Sequence, residues 1–310
     1  MSLVQLNPSC LPSLKDKVVL ITGGAEGIGR EAAILFHSNG AKVVVGDVNS
    51  EAGKSLAGQL GRNFLFKTCD VSLYQQQLDL FRSAQDAFGP VDVAISNAGI
   101  NSMVDPITDL DDIEVEPKLP DIDVNLRGAI FTARLAYHQM QAHGGGDIVL
   151  VSSIGGFKET ANITPYIASK HGVLGILRGM RLTSIKQNVR VNAICPWMTK
   201  TNMAAGIAQG WHELGLPANE PSDIAKAMLI CATANRESRA QHEGAKTPFH
   251  GKILYLSGGK PYEIEDRLQA LEPFWLGEKN SERLAVGQAY LHNGSTSWAG
   301  TSQHSRNGRL

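Results

Sequence analysis

The chain has 310 residues, of which 43% are hydrophobic, near the norm for globular proteins, and 19% are charged, somewhat below it. Its 29 basic and 30 acidic residues nearly balance, which argues against a broad surface for nucleic acid or anionic membranes, since such surfaces need clustered Lys and Arg. The four cysteines are widely spaced without a CxxC pair, so we predict buried thiols rather than disulfides or a zinc site. With no signal-peptide pattern and no run long enough to span a membrane, a cytosolic protein is expected.

Short β-branched runs alternate with helix-like segments along most of the chain. Residues 1–14, which are polar and contain prolines, are expected to form an N-terminal arm. The predicted strands are Lys17–Thr22, Lys42–Asp47, Asn63–Thr68, Val91–Ser96, Asp147–Ser152, Val189–Ile194 and Lys252–Leu256. The predicted helices are Glu31–Asn39, Glu51–Leu60, Ser72–Phe88, Asp123–His143 and Pro165–Gln187.

This alternation predicts a single α/β domain over residues 15–260. Strands that alternate with helices form a parallel sheet covered on both faces, and right-handed crossovers make it doubly wound. We therefore expect a seven-stranded parallel sheet with helices on both faces. Residues 101–120 are expected to form an acidic loop. Residues 261–310 form a C-terminal extension, and its polar last part, from residue 293, is expected to be disordered.

A glycine-rich turn follows the first predicted strand. Gly23, Gly27 and Gly29 have the spacing G-x-x-x-G-x-G, with Ile28 between the last two. Without side chains the backbone can approach a pyrophosphate, and the next helix offers free N–H groups and the positive end of its dipole. An ordinary glycine turn is the alternative. The position after the first strand of an alternating pattern favours a nucleotide site.

Three further strand ends supply candidate cofactor contacts. Asp47 closes the second predicted strand, where a carboxylate can accept both ribose hydroxyls of an adenosine and repels a 2′-phosphate, so NAD is expected and NADP is disfavoured. For Asp47, and for Asp70 after the third predicted strand, helix capping is the alternative to a cofactor contact. Asp70 and Val71 would hold the adenine edge, and Asn97, Ala98 and Gly99 would allow the cofactor to pass closely or simply make a turn.

Tyr166 and Lys170 lie at positions i and i+4 of the helix that Pro165 opens, so they share one face. A phenol has a pKa of about 10, and a neighbouring ammonium lowers it, which suits the pair to proton transfer. Ser153, at the end of the fifth strand, is placed to donate to a carbonyl oxygen. Each residue also has a simpler interpretation: Tyr166 and Lys170 as a surface pair, and Ser153 as a turn residue. Asn125, in the preceding helix, is a further candidate, for which a local side-chain-to-backbone contact is the alternative.

In order and spacing, these residues resemble the short-chain dehydrogenase/reductase family over residues 15–260. The resemblance rests on Thr22-Gly-x-x-x-Gly-x-Gly29, Asn97-Ala-Gly99, Asn125, Ser153, Tyr166-x-x-x-Lys170, and Pro196 with Thr201. It implies a Rossmann-type sheet, a nicotinamide cofactor, and a dimer or tetramer formed through the two long helices. It further implies Tyr166 as general acid/base and Ser153 as the group that orients the substrate oxygen. Lys170 would lower the pKa of Tyr166 and hold the nicotinamide ribose, and Asn125 would hold a water linking Lys170 to solvent.

The sequence departs from the family's pattern after the sixth strand, where Pro196-Trp197 replaces the usual Pro-Gly. Since Gly tolerates backbone angles that Trp does not, we expect a reshaped loop, with Trp197 lining or crowding the pocket. Pro196, Thr199 and Thr201 remain candidate cofactor contacts.

The resemblance implies reversible hydride transfer between NAD(P)(H) and a secondary alcohol or ketone. Residues 198–220 carry several large apolar side chains and could close over a bulky apolar substrate, or pack on the body as an amphipathic helix. Residues 274–280 are similar to the tails of fungal family members that act on secondary metabolites. The alternative on the same fold is an isomerase, dehydratase or cyclase without net redox. No metal site is expected, because the nine histidines include no H-E-x-x-H.

Overall fold

The computed structural model describes residues 2–103, 105–109, 113–236 and 240–292. The chain divides into two compact units, Met1–Ile264 and Glu265–Leu310. The first unit ends four residues beyond the domain boundary expected at residue 260, because the last strand of its sheet, Lys260–Glu263, follows that boundary.

Strands and helices alternate through the first unit. Its strands are β1 (Ser2–Leu3), β2 (Val18–Thr22), β3 (Lys42–Asp47), β4 (Phe64–Thr68), β5 (Val93–Ser96), β6 (Gly146–Val151), β7 (Val189–Pro196), β8 (Ile253–Ser257) and β9 (Lys260–Glu263). Its α-helices are α1 (Gly27–Ser38), α2 (Ser50–Leu60), α3 (Tyr74–Phe88), α4 (Gly128–Ala142), α5 (Thr164–Ser184), α6 (Ala208–Glu213) and α7 (Pro221–Thr233).

The strands of the described chain form one sheet in the order β1-β9-β8-β7-β6-β5-β2-β3-β4. The seven strands from β2 to β8 pair in parallel, as expected from the sequence. The count of seven is nevertheless wrong for the whole sheet, because β9 pairs antiparallel with β8 and β1 pairs antiparallel with β9. These two strands have only two and four residues, too few to show an alternating apolar pattern.

Each face of the sheet is covered by helices. Alternate strand residues point to opposite faces, so Val19 and Ile21 join one core with side chains of α1 and α7. Val18 and Leu20 join the other core, with side chains of α3, α4 and α5. The α/β, doubly wound class is confirmed. All four cysteines are buried thiols outside any disulfide, also as expected.

Several predicted helices have different ends in the structure. Helix α1 begins at Gly27, inside the glycine turn. The helix predicted over Asp123–His143 is a π-helical segment, Ile122–Arg127, followed by α4. The helix predicted over Pro165–Gln187 is α5 followed by a 3-10 turn, Ile185–Gln187.

Helix α7 was missed by the sequence analysis. It is almost entirely buried, although its start carries two recognisable signals. Pro221 occupies the first turn, and Glu220 and Asp223 cap each other's backbone N–H groups. The sequence pattern does not predict this helix, because a helix that is apolar nearly all round shows no alternation of apolar and polar faces.

The N-terminal residues are not a separate arm. Val4, Cys10 and Leu14 are fully buried, and a 3-10 helix covers Pro8–Leu14. The buried ring of His242 fixes this segment: its Nδ1 accepts the backbone N–H of Asn7 at 2.9 Å, and its Nε2 lies 2.8 Å from the Thr233 hydroxyl oxygen. The proline-rich sequence gave no sign of this anchor, since its partners lie more than 200 residues away.

His242 makes folding stability sensitive to acid. Burial lowers the pKa of His242 to about 4, whereas an unfolded histidine titrates near 6.5. As the pH falls, the unfolded chain therefore binds this proton first. Stability that is complete above about pH 6.5 declines until about pH 4, by roughly 3 kcal/mol from this group. Urea unfolding between pH 7.5 and pH 4.5 should show a shallower decline for His242→Gln than for the wild type. Parallel declines would contradict the assignment.

The second unit is largely helical in its described part. It contains α8 (Glu265–Ala270), α9 (Glu272–Leu276) and α10 (Glu278–Leu291). Residues 293–310, for which the sequence predicts disorder, lie outside the described residues. None of the described helices has the length and apolar character needed to cross a membrane.

Candidate active site

The candidate site lies where the order of the sheet reverses. The chain adds β3 and β4 on one side of β2 and then returns to place β5 on the other, so the connections after β2 and β5 diverge. Such a switch point leaves a crevice at the carboxyl ends of the strands. A cavity of about 340 Å³ occurs there. It is lined by ten of the predicted cofactor residues: Gly23, Gly27, Ile28, Asp47, Asp70, Val71, Asn97, Ala98, Gly99 and Thr201.

The glycine turn packs too tightly to hold side chains. Gly23 has φ +63°, and a Cβ on it would lie 2.6 Å from the Cα of Ala98. Gly29 does not line the cavity but lies behind it, where a Cβ would meet the carbonyl oxygen of Gly23 at 2.1 Å. The Asn97 side chain donates to the carbonyls of Thr22 and Gly23 at 3.1 and 2.7 Å, which fixes the turn to the end of β5. Within the described chain no side chain caps the start of α1 at Glu26. The turn thus presents bare backbone and a helix N-terminus to the cavity, as an anionic ligand requires.

Asp47 and Asp70 both line the cavity and both make local backbone contacts. The Asp47 carboxylate accepts the N–H of Ala25 and that of Asn49, each at 2.9 Å, and so joins the end of β3 to the glycine turn. Asp70 accepts the backbone N–H and the hydroxyl of Ser72 at 2.8 and 2.7 Å. Local capping, the alternative interpretation, is therefore present at both positions together with exposure to the cavity.

The four predicted catalytic residues come together beside this cavity. Ser153 follows β6, Tyr166 and Lys170 lie in the first turns of α5, and Asn125 lies in the π-helical segment. Tyr166 and Ser153 lie side by side at Gly155, where a Cβ would be 3.4 Å from the Tyr166 Cε1 and 3.6 Å from the Ser153 Oγ. Gly99 joins the cluster to the cavity, since a Cβ there would lie 3.3 Å from both the Asn125 Oδ1 and the Lys170 Nζ. The four residues, which are spread over residues 125–170 of the sequence, thus form one site next to the cavity.

Asn125 is buried, and both ends of its amide are bonded to protein groups. Its Oδ1 accepts the N–H of Ile100 at 2.8 Å, and its Nδ2 donates to the carbonyl of Ile100 at 2.9 Å and to the Ser169 hydroxyl at 3.1 Å. Ser169 donates in turn to the carbonyl of Tyr166 at 2.6 Å. Sequence reasoning missed Ser169, although it lies one position before Lys170. The amide of Asn125 therefore ties the loop after β5 to the helix that carries Tyr166.

Lys170 is buried, and its Nζ donates to the carbonyl of Val151 at 3.2 Å. Burial lowers the pKa of Lys170 to about 8, while the charges of Cys195 and Asp121 act in the opposite direction. The Nζ lies 5.6 Å from the centre of the Tyr166 ring. The lysine thus retains donor capacity close to both the phenol and the cavity.

The pKa of Tyr166 differs from the sequence-based expectation. Burial raises it above its ordinary value, the hydrogen bond with Ser153 lowers it, and the negative charge of Asp121 raises it further. The expected lowering by Lys170 is therefore not the dominant effect. Desolvation disfavours the phenolate more than the surrounding groups favour it.

The segment after β7 is ordered by aromatic and amide contacts. Pro196 ends β7, and the Thr199 hydroxyl donates to the carbonyl of Trp197 at 3.1 Å. The rings of Trp197 and Trp211 meet edge to face, with centroids 5.1 Å apart. Trp197 thus anchors the segment 198–220. Pro196 and Thr199 do not line the cavity, whereas Thr201 faces Gly27, with its Cγ2 3.5 Å from where a Cβ would be.

Asn219 is a second residue that sequence reasoning missed. Its fully buried amide donates to the carbonyls of Met198 and Leu256 at 3.0 and 3.2 Å and accepts the N–H of Gly259 at 2.9 Å. Asn219 therefore joins the start of the segment 198–220 to the loop between β8 and β9. No motif marks it, because all three partners are backbone groups of distant segments.

Comparison with known proteins supports the family suggested by the motifs. A family model described as short chain dehydrogenase matches residues 17–211. A short-chain dehydrogenase/reductase of Penicillium roqueforti is 29% identical over 93% of this chain and 89% of its own. One of Acremonium egyptiacum is 32% identical over 86% of each chain. The solved structure of levodione reductase has a TM-score of 0.69 and 25% identity, and covers 79% of this chain and 97% of that chain.

The Penicillium match covers 93% of this chain, more than the 264 residues of the first unit, so it reaches into the C-terminal extension. The likeness of the extension to fungal relatives therefore goes beyond the shared core. By the family match and the relatives together, the chain belongs to the short-chain dehydrogenase/reductase family, whose members are oxidoreductases that use a nicotinamide cofactor on small-molecule substrates.

Proposed function

We propose that the chain is an NAD(H)-dependent oxidoreductase that interconverts a secondary alcohol and a ketone. One observation carries the proposal: the Ser153–Tyr166–Lys170 cluster meets, at Gly99, a cavity walled by the glycine turn. A bound nicotinamide supplies the hydride for reduction and accepts it in oxidation. The chain's own residues must hold that group, orient the substrate oxygen and move one proton.

The glycine turn and the start of α1 would hold the pyrophosphate, and Asp47 would accept the adenosine ribose hydroxyls. The choice of NAD over NADP is supported by charge. Asp47 and Glu26 both line the cavity, and the lining residues that the structure describes include no Lys or Arg. A 2′-phosphate would face two carboxylates without a cation, which costs affinity. Asp70, Val71 and Asn97 to Gly99 complete the wall.

Proton transfer is assigned to Tyr166. In reduction its hydroxyl donates the proton to the substrate oxygen, which Ser153 also contacts, and the buried Lys170 ammonium stabilises the phenolate that remains. The raised pKa keeps the phenol protonated at neutral pH, which suits this direction. Alcohol oxidation starts from the phenolate and should gain rate as the pH rises.

The substrate is proposed to be bulky and apolar. Met203 of the segment after β7 lines the cavity, and Met103 and Leu214 are 70% and 75% exposed. Such side chains lose contact with water when an apolar ligand covers them. The fungal relatives and the similar tails support a secondary-metabolite-like substrate.

We also propose a homodimer or homotetramer formed through α4 and α5. At Gly175 and Gly179 on α5, the nearby backbone of the helix itself aside, no described atom lies within 4 Å of where a Cβ would be, so a second helix has room to approach. Gly172 does not contribute, because it packs against Leu126 of its own chain.

The decisive experiment follows cofactor and substrate together. Purified protein is incubated with NADH and a panel of bulky cyclic ketones, small ketones and sugars, and NADH loss and product are quantified. We expect one NADH consumed per secondary alcohol formed, with bulky apolar ketones preferred. Substrate conversion without any change in NADH would instead establish the isomerase, dehydratase or cyclase alternative.

Substitution of Gly29 by alanine should weaken NADH binding at least about tenfold. The new Cβ would overlap the Gly23 carbonyl and the Asn97 amide nitrogen, at 2.1 and 2.6 Å, so the turn must shift. Overpacking of this kind costs about 1–3 kcal/mol of stability. Fluorescence titration with NADH and urea unfolding measure the two effects.

Gly58→Ala is the matched control. Gly58 lies inside α2, and the described residues leave open space where its Cβ would be. Alanine there should stabilise the fold by about 0.5–1 kcal/mol and leave NADH affinity unchanged. Equal NADH affinity in both variants would show that the glycine turn does not hold the cofactor.

A further inference from the structure

The loop that leaves the cavity edge at Gly99 is fixed by buried carboxylates at two points. The first is Asp121, which is 1% exposed and lies just before the π-helical segment. It accepts the backbone N–H of Ser102 at 3.2 Å and is also hydrogen-bonded to the Ser102 hydroxyl. This contact holds the loop against the segment that carries Asn125.

The second point is Asp105, which is 2% exposed and reaches helix α5. Its Oδ2 accepts the backbone N–H of Thr164 at 3.0 Å and the Thr164 hydroxyl at 2.6 Å. Its Oδ1 accepts the N–H of Ile107 at 3.1 Å, so the carboxylate also shapes its own turn. The Thr164 hydrogen bonds hold the pKa of Asp105 below its ordinary value, so the group is ionised at neutral pH.

This contact replaces a local helix cap. In the described chain, Ile163 at the N-cap of α5 makes no side-chain capping bond, and an apolar side chain cannot make one. A carboxylate from 59 residues earlier in the chain takes that role, where the helix dipole favours negative charge. Thr164 is the first residue of α5 and Tyr166 the third, so the capped turn is the one that carries the proposed acid.

We propose that Asp105, through Thr164, is a positioning residue that fixes Tyr166 relative to the loop bordering the cavity. The same stretch of loop carries Met103 and Ile107, both strongly exposed. We call the Asp105–Thr164 contact the clamp. It holds together the turn that carries Tyr166 and the loop stretch that carries these two exposed apolar side chains. The inference rests on the proposed oxidoreductase function and adds to it two residues outside the family motif.

Thr164 permits a matched test, because valine removes the hydroxyl at nearly constant shape and serine retains it. In Thr164→Val and in Asp105→Asn we expect kcat to fall about tenfold, since small misplacements of a reacting group are costly. We also expect kcat/KM to fall more for a bulky cyclic ketone than for a small one. The Kd for NADH should change less than about twofold, because the cavity wall is untouched. Thr164→Ser should restore the wild-type values.

Glu159→Gln is the charge control. It removes an exposed carboxylate seven residues before Tyr166 and should leave all these values unchanged. If Thr164→Val and Asp105→Asn lower thermal stability but keep the kcat and the substrate-size preference of the wild type, Asp105 is only a helix cap and the proposal is overturned.

A titration separates this proposal from the proposed function. The ionisation of Tyr166 is read by near-ultraviolet absorbance as the difference between each protein and its Tyr166→Phe counterpart. Burial of the phenol has the largest effect on the pKa of Tyr166, followed by the side chains of Ser153, Asp121 and Cys195. In Thr164→Val, where the Asp105–Thr164 contact is weakened, the pKa of Tyr166 should move toward that of an ordinary tyrosine. In Thr164→Ser it should stay at the wild-type value. This readout needs no turnover: if the wild type oxidises no NADH, the proposed function fails, while an unmoved titration still rejects the clamp.

Discussion

Replacing Tyr166 by phenylalanine is expected to lower kcat for ketone reduction by roughly 10²–10⁴-fold. Phenylalanine keeps the ring near Lys170 and removes only the hydroxyl, on the side of Ser153. The substrate oxygen then loses its proton donor, whereas the glycine turn and Asp47 remain intact. NADH affinity should therefore stay close to that of the wild type, and the loss should be confined to kcat. Steady-state kinetics with a responsive ketone and fluorescence titration with NADH measure the two quantities.

Tyr137→Phe is the control for this substitution. Tyr137 lies in α4, packs partly buried against the core on the side of α3 to α5, and does not line the cavity. Loss of its hydroxyl should leave kcat unchanged. A Tyr166→Phe protein that turns over at the wild-type rate would remove Tyr166 from the mechanism and leave Ser153 and Lys170 without the acid they are proposed to support.

Most of the seven parallel strands could be predicted because they are short, buried runs rich in apolar and β-branched residues, as in Val43 to Val45. The edge strand β4, Phe64–Thr68, is only partly buried but is still a short apolar run. A strand buried on both faces needs such a run whatever its neighbours are. The two added strands could not be predicted in this way. Lys260–Glu263 pairs antiparallel with the strand just before it, β8, across the two residues Gly258 and Gly259, but it is too short to show a pattern of its own. Ser2–Leu3 becomes a strand only by pairing with β9, which depends on tertiary contact between the two ends of the unit.

In the candidate site, too, contacts between residues close in sequence could be predicted and contacts between distant segments could not. Tyr166 and Lys170 are neighbours through helix geometry, so their spacing alone brings them together. The pairing of Asp105 with Thr164 and the three backbone partners of Asn219 join segments distant in sequence, and no local pattern encodes them. The direction of the Tyr166 pKa was missed for a related reason. The sequence shows a nearby lysine, but the degree of burial that outweighs it exists only in the folded chain.

Exchange of Asp47 for serine together with Val48→Arg is expected to shift cofactor preference from NAD toward NADP by at least about 100-fold in the ratio of kcat/KM values, or about 2.7 kcal/mol. Asp47 ends β3 at the cavity wall, and Val48 beside it is exposed and lines the same cavity. The double change removes a carboxylate that repels a 2′-phosphate and supplies a guanidinium suited to bind one. Serine can still accept one of the two N–H groups, from Ala25 and Asn49, that Asp47 now holds.

The cofactor experiment compares kcat/KM for NADH and NADPH with one ketone in four proteins: wild type, Asp47→Ser, the double variant and Asp70→Ser. Asp70 is the matched control, because its carboxylate lines the same cavity but bonds to Ser72 rather than to the glycine turn. Its loss should weaken both cofactors alike and leave their ratio unchanged. If electrostatic repulsion at Asp47 selects the cofactor, the single Asp47 variant falls between wild type and double variant. A wild-type preference for NADPH, or an unchanged ratio in Asp47→Ser, would mean that the adenosine end is recognised elsewhere.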